Sequence, residues 1–214
     1  ISHRDIEGHW KNGKLLKADL PIKINYEGDH VMYAITKTSA MMMGDYYHYL
    51  TGMKVFNLRL PMIFSIPEKN WYYAHGEKKI IPFLSIIRDA MSGTRLEVWG
   101  DKNMKRDYVH MDNLLQMINL CLTTELTAGI FNVGTGEAVT TEDFIRTVAE
   151  VFSPHGENCE IIYRPHNKTY KCTSYDISTE HDQLGYDPIY LREMLIRLKD
   201  DIIKTNIFKK WDWK

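Results

Sequence analysis

Residues 31–37 read Val-Met-Tyr-Ala-Ile-Thr-Lys, and the fold prediction starts from the pair that they contain. Tyr33 and Lys37 are four residues apart, so on a helix both side chains lie on one face. A free tyrosine loses its proton near pH ~10, and about 4 kcal/mol of added phenolate stabilisation brings this to neutral pH. A unit charge ~4 Å away, at an effective dielectric of ~20, supplies roughly that amount. The pair therefore indicates an acid/base site.

The same spacing is also typical of an ordinary amphipathic helix, whose tyrosine packs and whose lysine is solvated. A chain with 13 tyrosines contains such a pair by chance. The flanking sequence carries more information. Asp29 and Gly52 predict a helix over 31–51, and a largely apolar stretch over 53–60 predicts a strand that Pro61 ends. A helix, a glycine and a buried strand in this order are typical of an α/β fold with a parallel sheet.

Further elements follow the same alternation. Pro82 and Gly93 bound a predicted helix, strands are expected over 96–99, 129–134 and 160–163, and a last helix over 190–205. Asp112 is the predicted N-cap of another helix, and Thr140 with Asp143 resembles a capping box. Residues 65–80 are expected to form a loop, residues 209–214 to fray, and Met41–Met43 to fill the core.

Composition excludes several classes of function. The 214 residues are 44% hydrophobic and 26% charged, with a net charge of −1, so we expect neither nucleic-acid nor membrane binding. The 3 cysteines are widely spaced, which favours reduced thiols in a cytoplasmic protein. Histidines are dispersed, so no metal site is predicted. No apolar run reaches membrane-spanning length.

Three stretches in this order resemble the NAD-dependent epimerase/dehydratase family, the extended short-chain dehydrogenases/reductases that act on nucleotide sugars. They are Tyr33-Ala34-Ile35-Thr36-Lys37 followed by Leu58-Arg59, Gly100-Asp101 followed by Arg106-Asp107-Tyr108-Val109-His110, and Phe131-Asn132-Val133-Gly134-Thr135-Gly136. Arg164-Pro165 and Leu184-Gly185-Tyr186 resemble the closing pattern of the family. Taken together, these stretches cover nearly the whole chain.

The resemblance implies a C-terminal part of a Rossmann-type parallel sheet plus a small α+β substrate-binding domain. Residues 1–64 would be the remainder of the dinucleotide-binding domain and residues 65–214 the substrate-binding domain, with segments around 107–134 packing back on the Rossmann sheet. The Gly-x-x-Gly-x-x-Gly turn that holds the cofactor pyrophosphate in the family has no match in this sequence. We therefore expect the chain to represent the C-terminal two-thirds of such an enzyme.

The resemblance also assigns catalytic roles. Tyr33 would exchange a proton with a sugar hydroxyl, and Lys37 would hold the nicotinamide ribose and favour the phenolate. A Ser or Thr accompanies this pair in the family; Ser2 is the candidate, with His3 as the alternative by ungapped spacing. Arg4 and Asp5 stand where the 4,6-dehydratases carry an Asp-Glu pair, which argues against that branch.

The resemblance also implies which residues bind the substrate and the cofactor. Arg106 and Arg164 match arginines that hold the nucleotide-sugar diphosphate, a task that suits a permanently charged, forked guanidinium. Residues 60–63 (Leu60, Pro61, Met62 and Ile63) fall where the family lines the nicotinamide side of its cleft. Met62 replaces an asparagine that contacts the substrate phosphate, and Met41 replaces a glutamate on the Tyr-Lys helix.

The sequence thus predicts an NAD- or NADP-dependent nucleotide-sugar epimerase, or a related reductase, that oxidises its sugar reversibly. The alternative is a noncatalytic nucleotide-sugar-binding or structural homologue that does not bind NAD by itself. A homodimer is expected because the Tyr-Lys helix commonly builds a two-fold helical bundle in this family. The base, the sugar and the preference between NAD and NADP stay open at this point.

Overall fold

The computed structural model of the chain describes residues 15–22, 24, 26, 31–74, 76–169 and 174–213. Ser2, His3 and the proposed cap Asp29 lie outside the described residues. The helices are α1 (Val31–Thr51), α2 (Pro82–Met91), α3 (Met111–Thr123), α4 (Thr141–Phe152), α5 (Ser178–Leu184), α6 (Leu191–Thr205) and α7 (Ile207–Lys210). The strands are β1 (Val55–Arg59), β2 (Ile63–Phe64), β3 (Trp71–Ala74), β4 (Glu77–Ile80), β5 (Leu96–Trp99), β6 (Lys105–Arg106), β7 (Val109–His110), β8 (Ala128–Asn132), β9 (Val139–Thr140) and β10 (Ile161–Arg164).

The described chain divides into two compact units. The first contains described residues of Ile1–Ile63, Arg106–Ala138 and Lys171–Ile189, and the second those of Phe64–Lys105, Val139–Tyr170 and Tyr190–Lys214. Each unit contains a parallel strand pair, β1 with β8 in the first and β10 with β5 in the second. The parallel pairs and their flanking helices confirm the predicted α/β class.

Helix α1 is the longest element of the first unit. It ends at Gly52, whose φ of 72° and N–H bond to the carbonyl of His48 close the helix as expected. Gly44 brings the helix close to β1, since a Cβ there would lie 3.1 Å from Val55. Ala34 is its buried residue, whereas Met42 and Met43 are exposed. The prediction that the methionines fill the core is therefore wrong for Met42 and Met43, and Met41 is half-buried.

The core of the first unit lies between the β1–β8 pair and α3. It consists of Val109, Met117, Cys121, Phe131, Val133 and Tyr186. Helix α3 begins after His110, whose ring nitrogen accepts the N–H of Asp112 at 3.2 Å. His110 is thus the N-cap, and the prediction that Asp112 caps this helix is wrong.

In the second unit, α2, α4 and α6 accompany the β10–β5 pair. Helix α4 starts with the predicted capping box, because Thr140 accepts the N–H of Asp143 at 3.0 Å and donates to its carboxylate at 2.6 Å. The loop expected over 65–80 instead contains an antiparallel hairpin of β3 and β4, which turns at Gly76 with a φ of 79°. A glycine suits that backbone conformation because it has no Cβ.

The C-terminal segment packs against this hairpin region rather than fraying. Buried Asn70 donates to the carbonyl of Asp212 at 2.8 Å, and the indole N–H of Trp211 donates to the carbonyl of Glu68 at 3.2 Å. The guanidinium of Arg88 lies 5.0 Å from the ring centroid of Trp213. Hydrogen bonds and a cation–π contact therefore hold this segment, and the prediction of fraying is wrong for its described residues. Across the described helices, none combines the length and apolarity needed to cross a membrane.

Candidate functional site

Helix α1 presents the tyrosine–lysine pair on one exposed face. The ammonium nitrogen of Lys37 lies 5.6 Å from the ring centroid of Tyr33, within the range of a cation–π contact. Between them in sequence, Ala34 is fully buried and so sets which face of the helix turns outward. Thr36 keeps its hydroxyl on the helix itself, donating to the carbonyls of Met32 at 2.9 Å and Tyr33 at 3.0 Å. The pair therefore has the predicted spacing and an open approach.

Exposure limits what this pair does in the bare chain. Tyr33 is 51% exposed and Lys37 is exposed, so water screens the ammonium from the phenol. A ligand that covers both side chains lowers the local dielectric and strengthens their interaction. The arrangement is suited to proton transfer once a substrate lies over it.

An apolar stretch follows the carboxyl end of β1. Leu60 and Met62 are exposed, Met62 by 61%, while Pro61 and Ile63 are half-buried. Ligands of open α/β sheets bind outside the carboxyl ends of the parallel strands, where these residues lie. The stretch offers apolar surface for a planar nicotinamide ring and therefore fits that part of NAD. The described residues contain no glycine-rich turn for the pyrophosphate.

Arg59, the last residue of β1, is a buried cation that the sequence did not reveal as such. It is 2% exposed, donates from Nη2 to the carbonyl of Leu20 at 2.8 Å, and keeps Nε and Nη1 without hydrogen-bond partners among the described residues. Burial lowers the pKa of Arg59, and the negative charge of Asp19 opposes this effect. The arginine holds segment 16–20 over the strand ends.

Asn132, opposite Arg59 in the parallel register, holds the same segment at a second point. Its side-chain amide donates to the carbonyls of Leu16 at 2.7 Å and Asp176 at 2.9 Å. Its backbone N–H donates at 2.5 Å to the buried carboxyl group of Glu180, whose pKa burial raises. A hydrophilic side chain gives no sequence signal of burial, so these contacts were not predicted.

Arg106 is followed in sequence by Asp107, a buried carboxylate that accepts several hydrogen bonds. Asp107 is 3% exposed and accepts the backbone N–H and hydroxyl of Thr135 at 2.9 and 2.6 Å and the N–H of Gly136 at 3.3 Å. Burial raises the pKa of Asp107 to about 6, although these hydrogen bonds favour the ionised form. The carboxylate ties the chain beside Arg106 to the turn after β8.

Arg164, the other predicted phosphate ligand, lies at the carboxyl end of β10 in the second unit. Its Nε and Nη2 donate to one carboxylate oxygen of Glu97 at 3.1 and 2.9 Å. The other oxygen of Glu97 accepts the indole N–H of Trp99 at 2.7 Å, and Trp99 is the register partner of Arg164. One carboxylate thus holds both a guanidinium and an indole that is 53% exposed.

A second polar cluster lies beside a shallow hollow of the same unit. Glu142 accepts the hydroxyl of Tyr163 at 2.6 Å and pairs with Arg146 at 2.8 Å and Lys102 at 3.1 Å. These contacts, the Tyr163 hydrogen bond first, lower the pKa of Glu142 to about 2. The hollow itself is lined by Gly100, Asp101, Lys102, Tyr163 and Pro165. Of its charged lining residues, Lys102 pairs with Glu142 and Asp101 accepts the backbone N–H of Asn103 at 2.9 Å.

Two predicted site positions cannot be placed in this structure. Ser2 and its alternative His3 fall outside the described residues, so their roles stay predictions. Among the residues that the structure describes, no group of three or more His, Cys, Asp or Glu side chains is placed to hold a metal ion.

Comparison with known proteins supplies the context for this geometry. The sequence model of the NAD dependent epimerase/dehydratase family matches residues 19–134, which is more than half of the chain. The dTDP-glucose 4,6-dehydratase of Xanthomonas campestris is 24% identical over 185 residues, covering 81% of this chain and 49% of that protein. The chain spans about half the length of the curated relatives it matches.

Solved structures share the fold. The UDP-N-acetylglucosamine 4-epimerase of Bacillus cereus superposes with a TM-score of 0.66 at 21% identity, over 86% of this chain and 56% of that one. The UDP-glucuronic acid 4-epimerase of the same organism, in complex with NAD, gives a TM-score of 0.61 at 21% identity, over 90% and 57%. At 21% identity, these TM-scores show a shared fold alone.

Proposed function

Because the chain belongs to the NAD dependent epimerase/dehydratase family, we propose that it carries the proton-transfer and phosphate-binding residues of a nucleotide-sugar epimerase or related reductase. The observation that carries this proposal is the pair on α1. Tyr33 and Lys37 lie on one exposed helix face, with the ammonium 5.6 Å from the ring centroid.

In this proposal Tyr33 takes the proton of a sugar hydroxyl and returns it at the end of the cycle. Lys37 stabilises the phenolate and donates hydrogen bonds to a ribose hydroxyl, because its ammonium group has three donors. Leu60–Ile63 form the apolar wall against which the nicotinamide ring lies. NAD or NADP, when bound, supplies the hydride acceptor and donor.

Arg106 in the first unit and Arg164 in the second are each proposed to bind the substrate diphosphate. A guanidinium keeps its charge at all working pH values and forms two parallel hydrogen bonds with phosphate oxygens. Asp107 supports this role for Arg106 by fixing the adjacent backbone through Thr135 and Gly136.

We also propose a homodimer that is formed through α1. Met43, Tyr46, Tyr47 and Leu50 follow the i, i+3, i+4, i+7 spacing of one helix stripe, and all four are exposed. An apolar stripe of this kind is typical of a helix that packs against another helix. A second copy of the same helix offers the matching surface.

Replacing Tyr33 with Phe tests the catalytic assignment in the intact protein supplied with NAD and UDP-sugars. Turnover is followed by separating the epimeric products, and sugar-nucleotide affinity by calorimetry. We expect turnover to fall by about 10²–10⁴-fold, the usual contribution of a general acid/base, while affinity stays within a few-fold. Tyr49→Phe is the matched control, because Tyr49 lies on the same helix and is exposed. A Tyr33→Phe enzyme with wild-type kcat would refute the assignment.

A second candidate, a noncatalytic nucleotide-sugar-binding homologue, is favoured by one residue. Met62 occupies the position of the family's phosphate-contacting asparagine, and its exposed thioether donates no hydrogen bond. Calorimetric titration with UDP-sugars and with NAD distinguishes the two candidates. Sugar-nucleotide binding by the intact protein without NAD binding supports the noncatalytic homologue.

A further inference from the structure

Glu97 occupies the edge of the Arg164 guanidinium to which a phosphate group would bind. Nε and Nη2 form one edge of the guanidinium fork, and both donate to Oε1 of Glu97, at 3.1 and 2.9 Å. Oε2 is engaged separately by the indole N–H of Trp99 at 2.7 Å. Arg164 and Glu97 are both partly exposed, so a ligand in solution has access to the pair.

We propose that Glu97 determines specificity by competing with phosphate: it neutralises Arg164 until a phosphate-bearing ligand displaces its Oε1. This inference rests on the proposed diphosphate-binding role of Arg164. It goes beyond that role because it makes the affinity for a diphosphate depend on a carboxylate within the protein.

The hydrogen-bond pattern favours exchange over permanent pairing. The two oxygens of Glu97 have different partners, so Arg164 can leave Oε1 while Oε2 keeps its bond to Trp99. The carboxylate then stays near the bound anion and repels it, because like charges a few ångströms apart disfavour each other. Glu97 therefore lowers affinity both by occupying the arginine and by its charge.

The same arrangement predicts discrimination among ligands. A ligand with two phosphate groups offers more charge than one carboxylate and wins the exchange more readily than a monoanion. Neutral nucleosides gain nothing from displacing Glu97. The substrate class that the site accepts is therefore set by phosphate charge as well as by shape.

Glu97→Gln tests the proposal, because glutamine keeps the shape and a hydrogen-bonding oxygen but removes the charge. The affinities for UDP and for uridine are measured by calorimetry at fixed ionic strength. We expect UDP to bind about fivefold more tightly, a modest gain because water screens an exposed ion pair, and uridine binding to stay unchanged. In an Arg164→Ala background the gain disappears, as a double-mutant cycle requires when one pair carries the effect.

Glu193→Gln is the matched control, since Glu193 forms a 2.6 Å ion pair with Arg197 on α6 of the same unit. It should leave UDP affinity unchanged. UDP binding by the wild type with no gain in Glu97→Gln, or with a loss, overturns the competing role and leaves the proposed function standing. A gain that persists in the Arg164→Ala background overturns it as well. Failure of wild type and variant alike to bind UDP counts against the diphosphate site of the proposed function, and the inference falls with it.

Discussion

The ionisation of Asp107 predicts how the stability of the first unit changes with pH. Its carboxyl group is 3% exposed, and burial raises its pKa from 3.8 to about 6. A carboxyl group whose pKa rises on folding binds its proton more tightly in the folded state. It therefore destabilises the fold as pH rises from the unfolded to the folded pKa. The shift of about two units corresponds to about 3 kcal/mol.

The assay is chemical unfolding of the wild type and of Asp107→Asn between pH 4 and 7.5. Other carboxylates change the free energy of unfolding with pH in the opposite direction, since the pKa of Glu142 is lowered to about 2 and that of Asp176 is also lowered. The difference between the two proteins isolates Asp107 from that background. We expect the wild type to lose about 2 kcal/mol relative to the variant between pH 4 and pH 6, and the two curves to become parallel above about pH 7.

The control is Asp187→Asn, which removes an exposed carboxylate from the same unit. It should follow the wild-type curve over the whole pH range. If wild type and Asp107→Asn show parallel curves, the buried carboxylate does not titrate between pH 4 and 6. The three hydrogen bonds from Thr135 and Gly136 would then outweigh the cost of burial, and the reasoning would be refuted.

Three other substitutions test separate parts of the structure. Arg106→Ala should raise the Kd for a UDP-sugar at least tenfold, because a charged hydrogen bond contributes about 1.5–3 kcal/mol; an unchanged calorimetric Kd would remove Arg106 from the site. Asn70→Ala should lower the free energy of unfolding by about 1–3 kcal/mol, since it removes the buried amide that donates to the carbonyl of Asp212, and unaltered chemical unfolding would contradict this. Leu50→Glu should convert the proposed homodimer to monomer in sedimentation, because it places a charge in the apolar α1 stripe, and a persisting dimer would show that another surface is used.

Elements with local chemical boundaries were predictable from the sequence. Helix α4 starts where Thr140 and Asp143 cap each other, α1 ends at Gly52, and β5 occupies the predicted residues Leu96–Trp99. In each case the signal lies within a few residues of the boundary. The start of α3 was predicted wrongly, because Asp is a preferred N-cap residue type, whereas in the structure the ring nitrogen of His110 takes that role.

Elements that depend on distant partners were missed. The β3–β4 hairpin carries Glu77, Lys78 and Lys79 in one strand, so it has no alternating apolar pattern. It is held in part by the C-terminal segment, since Lys78 pairs with Asp212 at 3.4 Å. A contact between residues so far apart in sequence leaves no local signal.

The candidate site likewise has one part that local sequence predicts and one part that depends on distant residues. The Tyr33–Lys37 geometry follows from helix periodicity and is therefore contained in the sequence. The ion pair of Arg164 cannot be read from the sequence in this way. Its partner Glu97 is on another strand and becomes adjacent only through the β10–β5 register. A motif identifies which arginine has the chemistry to bind phosphate. Whether that arginine is paired within the protein depends on which carboxylate the fold places beside it, as Glu97 is placed beside Arg164.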